Sequence, residues 1–199
     1  KHTLSELLTE GHKDVVIEVR KNLDIITSGR RRLYDAQREL TKDDFGIFKF
    51  EERISFIQDY DYDFVFYDFS PSDTLINRAA LLFCDGLLIP MNPGIDSIMG
   101  AERYIDLANE ISGRARRAID IFGVLINLYE KNTVISREID SVARQKWGNK
   151  VFKTRIRKNV AIGEARVQNQ TIFEYAPHSN GAKDFTALTA EVLNDSEKT

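Results

Sequence analysis

"YDFVFYDFSPSDT", residues 62–74, decides how the rest of the chain is read. The run Phe64-Val65-Phe66-Tyr67 has the aromatic and β-branched composition of a strand buried on both faces. It stops at a carboxylate, Asp68, followed by Ser70-Pro71-Ser72. Proline cannot donate to a ladder and presets a turn, so the reading places a strand over 63–68 with the acid at its carboxyl end. Such an acid has two ordinary uses. It caps the turn or helix that follows, or it holds Mg²⁺ through water beside a bound triphosphate. As a bare pattern the stretch leaves both open.

Outward from this stretch, apolar runs alternate with helical periodicity. Downstream the reading is a helix around 74–83, a strand "GLLIPM" at 86–91, and a helix from Ser97 to about Ser112. Ile98, Ala101, Ile105, Ala108 and Ile111 share one face of that helix, and Ser97 is expected as its N-cap. A strand "IDIFGVLIN" (119–127), a helix from Thr133 to Trp147, a strand "KVFKTRI" and a closing helix from about Ser179 to Asn194 follow. Upstream, Leu4, Leu7 and Leu8 predict a short helix and "LDIITS" (23–28) a strand; "RRRLYDAQREL" reads as a helix. Ile47, Phe50, Ile54 and Ile57, spaced by three and four, mark another. Near-continuous apolar strands alternating with amphipathic helices predict an α/β fold, a mostly parallel sheet with helices on both faces, in a single domain over 1–199.

Composition narrows the function classes. With 28 basic and 31 acidic residues the net charge is −3, so no global field drives the chain onto nucleic acid or anionic lipid. The one cysteine, Cys84, sits in the apolar "ALLFCDGLLI", where a small buried hydrophobe is expected. A single cysteine allows no internal disulfide, which fits a reducing, cytoplasmic compartment. No stretch is apolar for long enough to span a bilayer, and the start does not read as a signal peptide. Because the chain opens at Lys1 inside an amphipathic stretch, further sequence is expected upstream.

In an open parallel sheet, ligands bind outside the carboxyl ends of the strands. Three such ends carry polar or special residues: Asp68 with Ser70-Pro71-Ser72, Pro90 with Asn92-Pro93-Gly94, and Asn127 followed by "LYEKNT". Together they outline the rim of a site.

The stretch from Tyr62 to Ile111 resembles the Walker B region of the ParA/Soj chromosome and plasmid partition ATPases, with its hydrophobic strand, Asp, Pro-containing turn and second strand ending in a Pro loop. The strand "GVLINLY", the segment "VFKTRIRKNVAIGEA" and "YAPHSNGAK" at the start of the last helix are similar to the same family's C-terminal half, and "HTLSELLTEG" to its segment after the second strand. The resemblance implies a P-loop ATPase with a deviant Walker A loop, which dimerises around ATP and Mg²⁺, binds DNA non-specifically in that state on the nucleoid, and is released when a ParB-like partner stimulates hydrolysis. By the same resemblance Asp68 is the Walker B acid that holds Mg²⁺ via water, and Ser70 and Pro71 belong to the switch-like turn. Asn127 falls where related proteins place an adenine-reading side chain, and Glu164 matches a glutamate that shapes the nucleotide pocket or dimer face. Ser70 and Arg157 stand where the family usually has prolines, and Arg157 would change the loop that packs against the base.

One expected part is not in the sequence. The eleven glycines are scattered and form no phosphate-loop run with its lysines, so the central strands that carry such a loop are expected upstream of Lys1. A pseudo-ATPase binding module and a related ATPase positioning a protein cargo are the alternatives.

From Arg144 to Lys158 the chain carries seven cations and no acid: Arg144, Lys146, Lys150, Lys153, Arg155, Arg157 and Lys158. Read as a local field, this cluster, extended by Lys183, is the expected contact for a DNA backbone; the alternative is a solvated basic face. Arg30, Arg31 and Arg32 form a shorter cluster with no assigned role. His2, His12 and His178 lack metal-ligand spacing, so no metal site is expected from them. The polar, acidic end of "ALTAEVLNDSEKT" is unlike a membrane-binding amphipathic tail.

Overall fold

The computed structural model describes residues 1–29, 31–70 and 72–196; Arg30 and Pro71 lie outside the described residues. The chain divides into two compact units, residues 1–84 with 114–117, and residues 85–113 with 118–199.

In the first unit, α1 (Leu4–Glu10) opens on a capping box, Thr3 with Glu6, and ends on Gly11 in the left-handed conformation at φ 81°. An antiparallel hairpin follows, β1 (Ile17–Arg20) against β2 (Leu23–Ile25). Then come α2 (Arg31–Thr41), α3 (Gly46–Ile54) running into a 3₁₀ turn at Ser55–Asp59, and α4 (Leu75–Phe83). Leu7, Leu8, Val15, Leu40, Phe50 and Ala79 form a core that is almost fully buried. The 3–4 spacing read from Ile47, Phe50, Ile54 and Ile57 is confirmed: two are buried and two are packed against the same core.

The second unit is a parallel sheet in the order β3 (Gly86–Met91), β4 (Asp120–Tyr129), β5 (Val151–Arg157). The crossovers are α5 (Ile95–Ala115) and α6 (Val134–Trp147); after β5 come α7 (Val160–Val167), α8 (Ile172–Tyr175) and α9 (Asn180–Ser196). Leu125, Phe152 and Ile156 pack with Leu188 of α9 on one face. Alternation sends Val124 and Ile126 to the other face, where both are fully buried, so both faces are covered. Gly123 is required by this packing, since a Cβ there would come under 3.0 Å from the Phe152 ring. The structure is therefore the expected α/β architecture, a parallel sheet between helices.

Two expectations need correction. Residues 63–68 form no strand; Phe64, Val65 and Phe66 are exposed, Phe66 to 81%. A strand exists by its ladder, and among the described residues none pairs with this segment, so its β-propensity has nothing to act on. Helix α5 starts two residues before Ser97, which lies inside the helix and is not its cap. The hairpin strand β1 and the short helices α7 and α8 were not anticipated. Among the described residues, no helix is long and apolar enough to cross a membrane.

Candidate functional site

Asp68 sits in an irregular segment that the first unit fixes at intervals. Tyr62 donates to Asp24 Oδ2 at 2.5 Å, a bond that pushes its phenol pKa up to about 12 and keeps it a donor at any working pH. Tyr67 and Phe69, flanking Asp68, both pack against the core, and the Tyr67 ring lies 6.0 Å from that of Phe50. With its neighbours turned inward, Asp68 is exposed, and its carboxylate takes part in no hydrogen bond or ion pair among the described residues. It caps nothing. Of its two ordinary uses, this leaves the carboxylate available to a hard cation such as Mg²⁺, which oxygen ligands suit.

The turn after Asp68 is clamped by a residue the sequence reading missed. Asn77, 7% exposed on α4, donates through Nδ2 to the carbonyls of Ser70 (2.9 Å) and Ser72 (2.6 Å). Ser70 and Ser72 hydroxyls lie 2.9 Å apart, and Thr74 caps α4 by accepting from the Asn77 amide. The available signal was a lone amide among the apolar positions of "LINRAALL". Asn77→Leu keeps the branched outline of the side chain but strands two carbonyls, so a loss of about 1–3 kcal/mol and faster amide exchange at 68–74 are expected, read by urea unfolding and hydrogen exchange.

In the second unit, Asn127 near the carboxyl end of β4 donates to Asn92 Oδ1 just beyond β3, at 3.2 Å. The next residue, Leu128, takes a left-handed backbone at φ 50° where the β4–β5 register shifts. A non-glycine residue in that region costs about 1–3 kcal/mol. Arg157 is not a loop residue. It ends β5, where its amide and Nε donate to Asp184 Oδ2 (3.0 and 2.9 Å) and its Nη2 to Oδ1 (2.6 Å). Glu164, exposed on α7, accepts from the Tyr175 hydroxyl at 3.2 Å, and its charge raises the Tyr175 pKa.

The basic cluster is mostly paired. Arg144 and Arg155 converge on Asp140, Arg157 on Asp184, Lys146 on Glu102, Lys150 on Asp120 and Lys158 on Glu130. The Arg155 guanidinium also lies 5.3 Å from the Tyr129 ring, and its hydrogen bonds to Asp140 raise its pKa further. Lys153 and Lys183 are exposed and make no ion pair among the described residues. The acids come from β4, α5, α6, α9 and the loop after β4, none within 144–158, so the run of cations in sequence overstates the local field. Asp140 and Asp184, both under 10% exposed, were invisible to a reading that counted neighbours along the chain.

Residues 1–121 match the family model described as "AAA domain". An uncharacterized protein of Mycobacterium tuberculosis is 33% identical over 133 residues, covering 67% of this chain and 42% of its own length. The chromosome-partitioning ATPase Soj of Thermus thermophilus is 28% identical over 137 residues, covering 69% of this chain and 55% of its own. The chain thus spans about half the length of the curated relatives it matches. The solved structure of apo McdA from Cyanothece superposes with a TM-score of 0.81 at 19% identity, covering 96% of this chain and 77% of that one. A single-site variant of McdA, solved in complex with ATP, gives 0.76. Since the family match runs through the Asp68 turn and into β4, the chain belongs to the AAA domain family, and in sequence it is similar to ParA/Soj-type proteins.

Proposed function

We propose that this chain serves a nucleotide-driven positioning cycle, in which Asp68 holds Mg²⁺ through water at an ATP site and the ATP-bound form dimerises. The carrying observation is the Asp68 carboxylate itself: exposed, without a protein partner among the described residues, and held in place by anchored neighbours and the Asn77 clamp. Mg²⁺ when bound would neutralise charge on the β- and γ-phosphates. Ser70 and Ser72 offer hydroxyls beside the acid, while Asn127, Arg157 and Glu164 are the candidate base-side and pocket-shaping residues. The 1–199 region acts as one ATPase domain in this reading, with a ParB-like protein as the partner that triggers hydrolysis and release from non-specific DNA.

A second reading is supported by the ion pairing of six cations in the 144–158 cluster, which leaves Lys153 and Lys183 as the strongest phosphate contacts. A weakened basic face favours a protein cargo over DNA as the positioned object.

The test is ATP turnover by the full-length protein, with and without duplex DNA, for the parent and Asp68→Ala. Turnover is expected to fall about tenfold or more in the variant. Stimulation by DNA supports the partition reading; turnover indifferent to DNA supports the cargo reading. Measurable and equal turnover in the two proteins rejects a metal-organising role for Asp68, and no turnover in either assigns a binding module.

A further inference from the structure

The two histidines that the sequence sets ten positions apart meet in the structure. His2 precedes α1 and His12 follows it, and their rings stack at 3.9 Å between centroids and 3° between planes. The backbone on both sides is fixed. On the His2 side, the Thr3 amide donates to Glu6 Oε2 (2.7 Å), the Leu4 amide to the Thr27 carbonyl (2.8 Å), and Lys1 Nζ to the Val16 carbonyl (2.6 Å). On the His12 side, the left-handed Gly11 turns the chain back, and fully buried Val15 anchors the turn that carries Asp14. His2 Nδ1 lies 2.7 Å from Asp14 Oδ1, and His12 Nε2 lies 3.1 Å from Glu10 Oε2. One ligand atom from each of His2, His12 and Asp14 falls within 4.8 Å of the other two.

We propose that His2, His12 and Asp14 form a binding site for a borderline divalent cation, Zn²⁺ in the first instance. Two imidazoles and a carboxylate are a donor set that suits zinc, with water in the fourth position. The charge balances as well, since Asp14 and Glu10 together offset the 2+ ion. Glu10 stands as the carboxylate that orients His12, in the manner of the outer partners of metal-bound imidazoles. Binding replaces the direct His2–Asp14 contact with the ion. Inter-ligand distances of roughly 3.3 Å follow from metal–ligand bonds of about 2.0–2.1 Å at tetrahedral angles, so the His2–Asp14 pair opens by a few tenths of an ångström and the stacked rings rotate toward the ion. All three side chains are partly or fully exposed, which leaves room for that adjustment and a path of entry. The site would tie the start of α1 to the segment after it, stapling the first unit without a disulfide.

The experiment is calorimetric titration of the full chain with Zn²⁺ alone, repeated on His2→Ala, His12→Gln, Asp14→Asn and, as a control, His178→Ala. One saturable equivalent is expected for the parent and for His178→Ala, with affinity lowered about tenfold or more in each of the other three. A thermal shift that saturates with zinc in the parent and vanishes in His12→Gln gives an independent readout. Absence of saturable binding in the parent, or unchanged binding in a His2→Ala/His12→Gln double variant, overturns the proposal. Because none of these readouts depends on ATP turnover, the outcome is separate from that of Asp68.

Discussion

Phe50→Ala is expected to lower the stability of the first unit by about 3–5 kcal/mol. Phe50 is 1% exposed and packs among Leu7, Leu8, Leu40 and Ile54, so truncation loses the transfer energy of the ring and leaves a cavity that the close-packed helices around it cannot fully collapse into. The same ring supports Tyr67, one residue before Asp68, at 6.0 Å and a tilt of 54°. Loss of the support should therefore also speed amide exchange at 66–69, beyond what global destabilisation explains. Urea unfolding followed by circular dichroism measures the first effect, and hydrogen exchange under native conditions the second. A cost below about 1 kcal/mol would show that the core relaxes around the gap, and unchanged exchange at 66–69 would detach Phe50 from the candidate site.

Asp140→Ala is expected to cost about 2–4 kcal/mol, because it leaves two guanidinium groups converging on an empty position. Asp140 accepts from Arg144 Nε at 3.0 Å and from Arg155 Nε and Nη2 at 3.1 and 2.6 Å. Its own side chain is 12% exposed, while those of Arg144 and Arg155 are 30% and 33% exposed. Water can reach the arginines, which keeps the figure below that of a fully buried pair. The substitution also frees two cations in the region expected to meet a phosphate backbone. Duplex DNA should bind more tightly than to the parent, with a steeper loss of affinity as salt rises. Chemical denaturation tests the first part and fluorescence anisotropy across a salt series the second. Tighter binding with unchanged salt dependence would mean that the freed arginines do not reach phosphate.

The parts of the fold that were legible are those where local pattern and tertiary role coincide. "GLLIPM" forms β3 over the residues expected, and the two further parallel strands fall within two residues of their reading. A strand buried on both faces must be apolar at nearly every position, and that run is hard to mimic. The Phe64–Tyr67 stretch has the same composition and fails, because a ladder needs a second strand that no single stretch can report. Asp68 was identified by its place after that stretch, and the structure keeps it exposed for a different reason: Tyr67 and Phe69 turn inward around it.

By itself, the sequence determined the periodicities, and through them the alternation of helix and parallel strand, the covered sheet and the order of motifs that resembles the ParA/Soj family. Tertiary structure alone decided which charges and donors meet. It brought Asp140 and Asp184 to the arginines, Asn77 to the turn after Asp68, and His2 to His12 across the length of α1. The physical reason is that apolar burial acts on every residue along an element and so leaves a repeating trace, whereas a hydrogen bond or ion pair depends on two atoms within about 3 Å, a separation set by how elements fold back on one another.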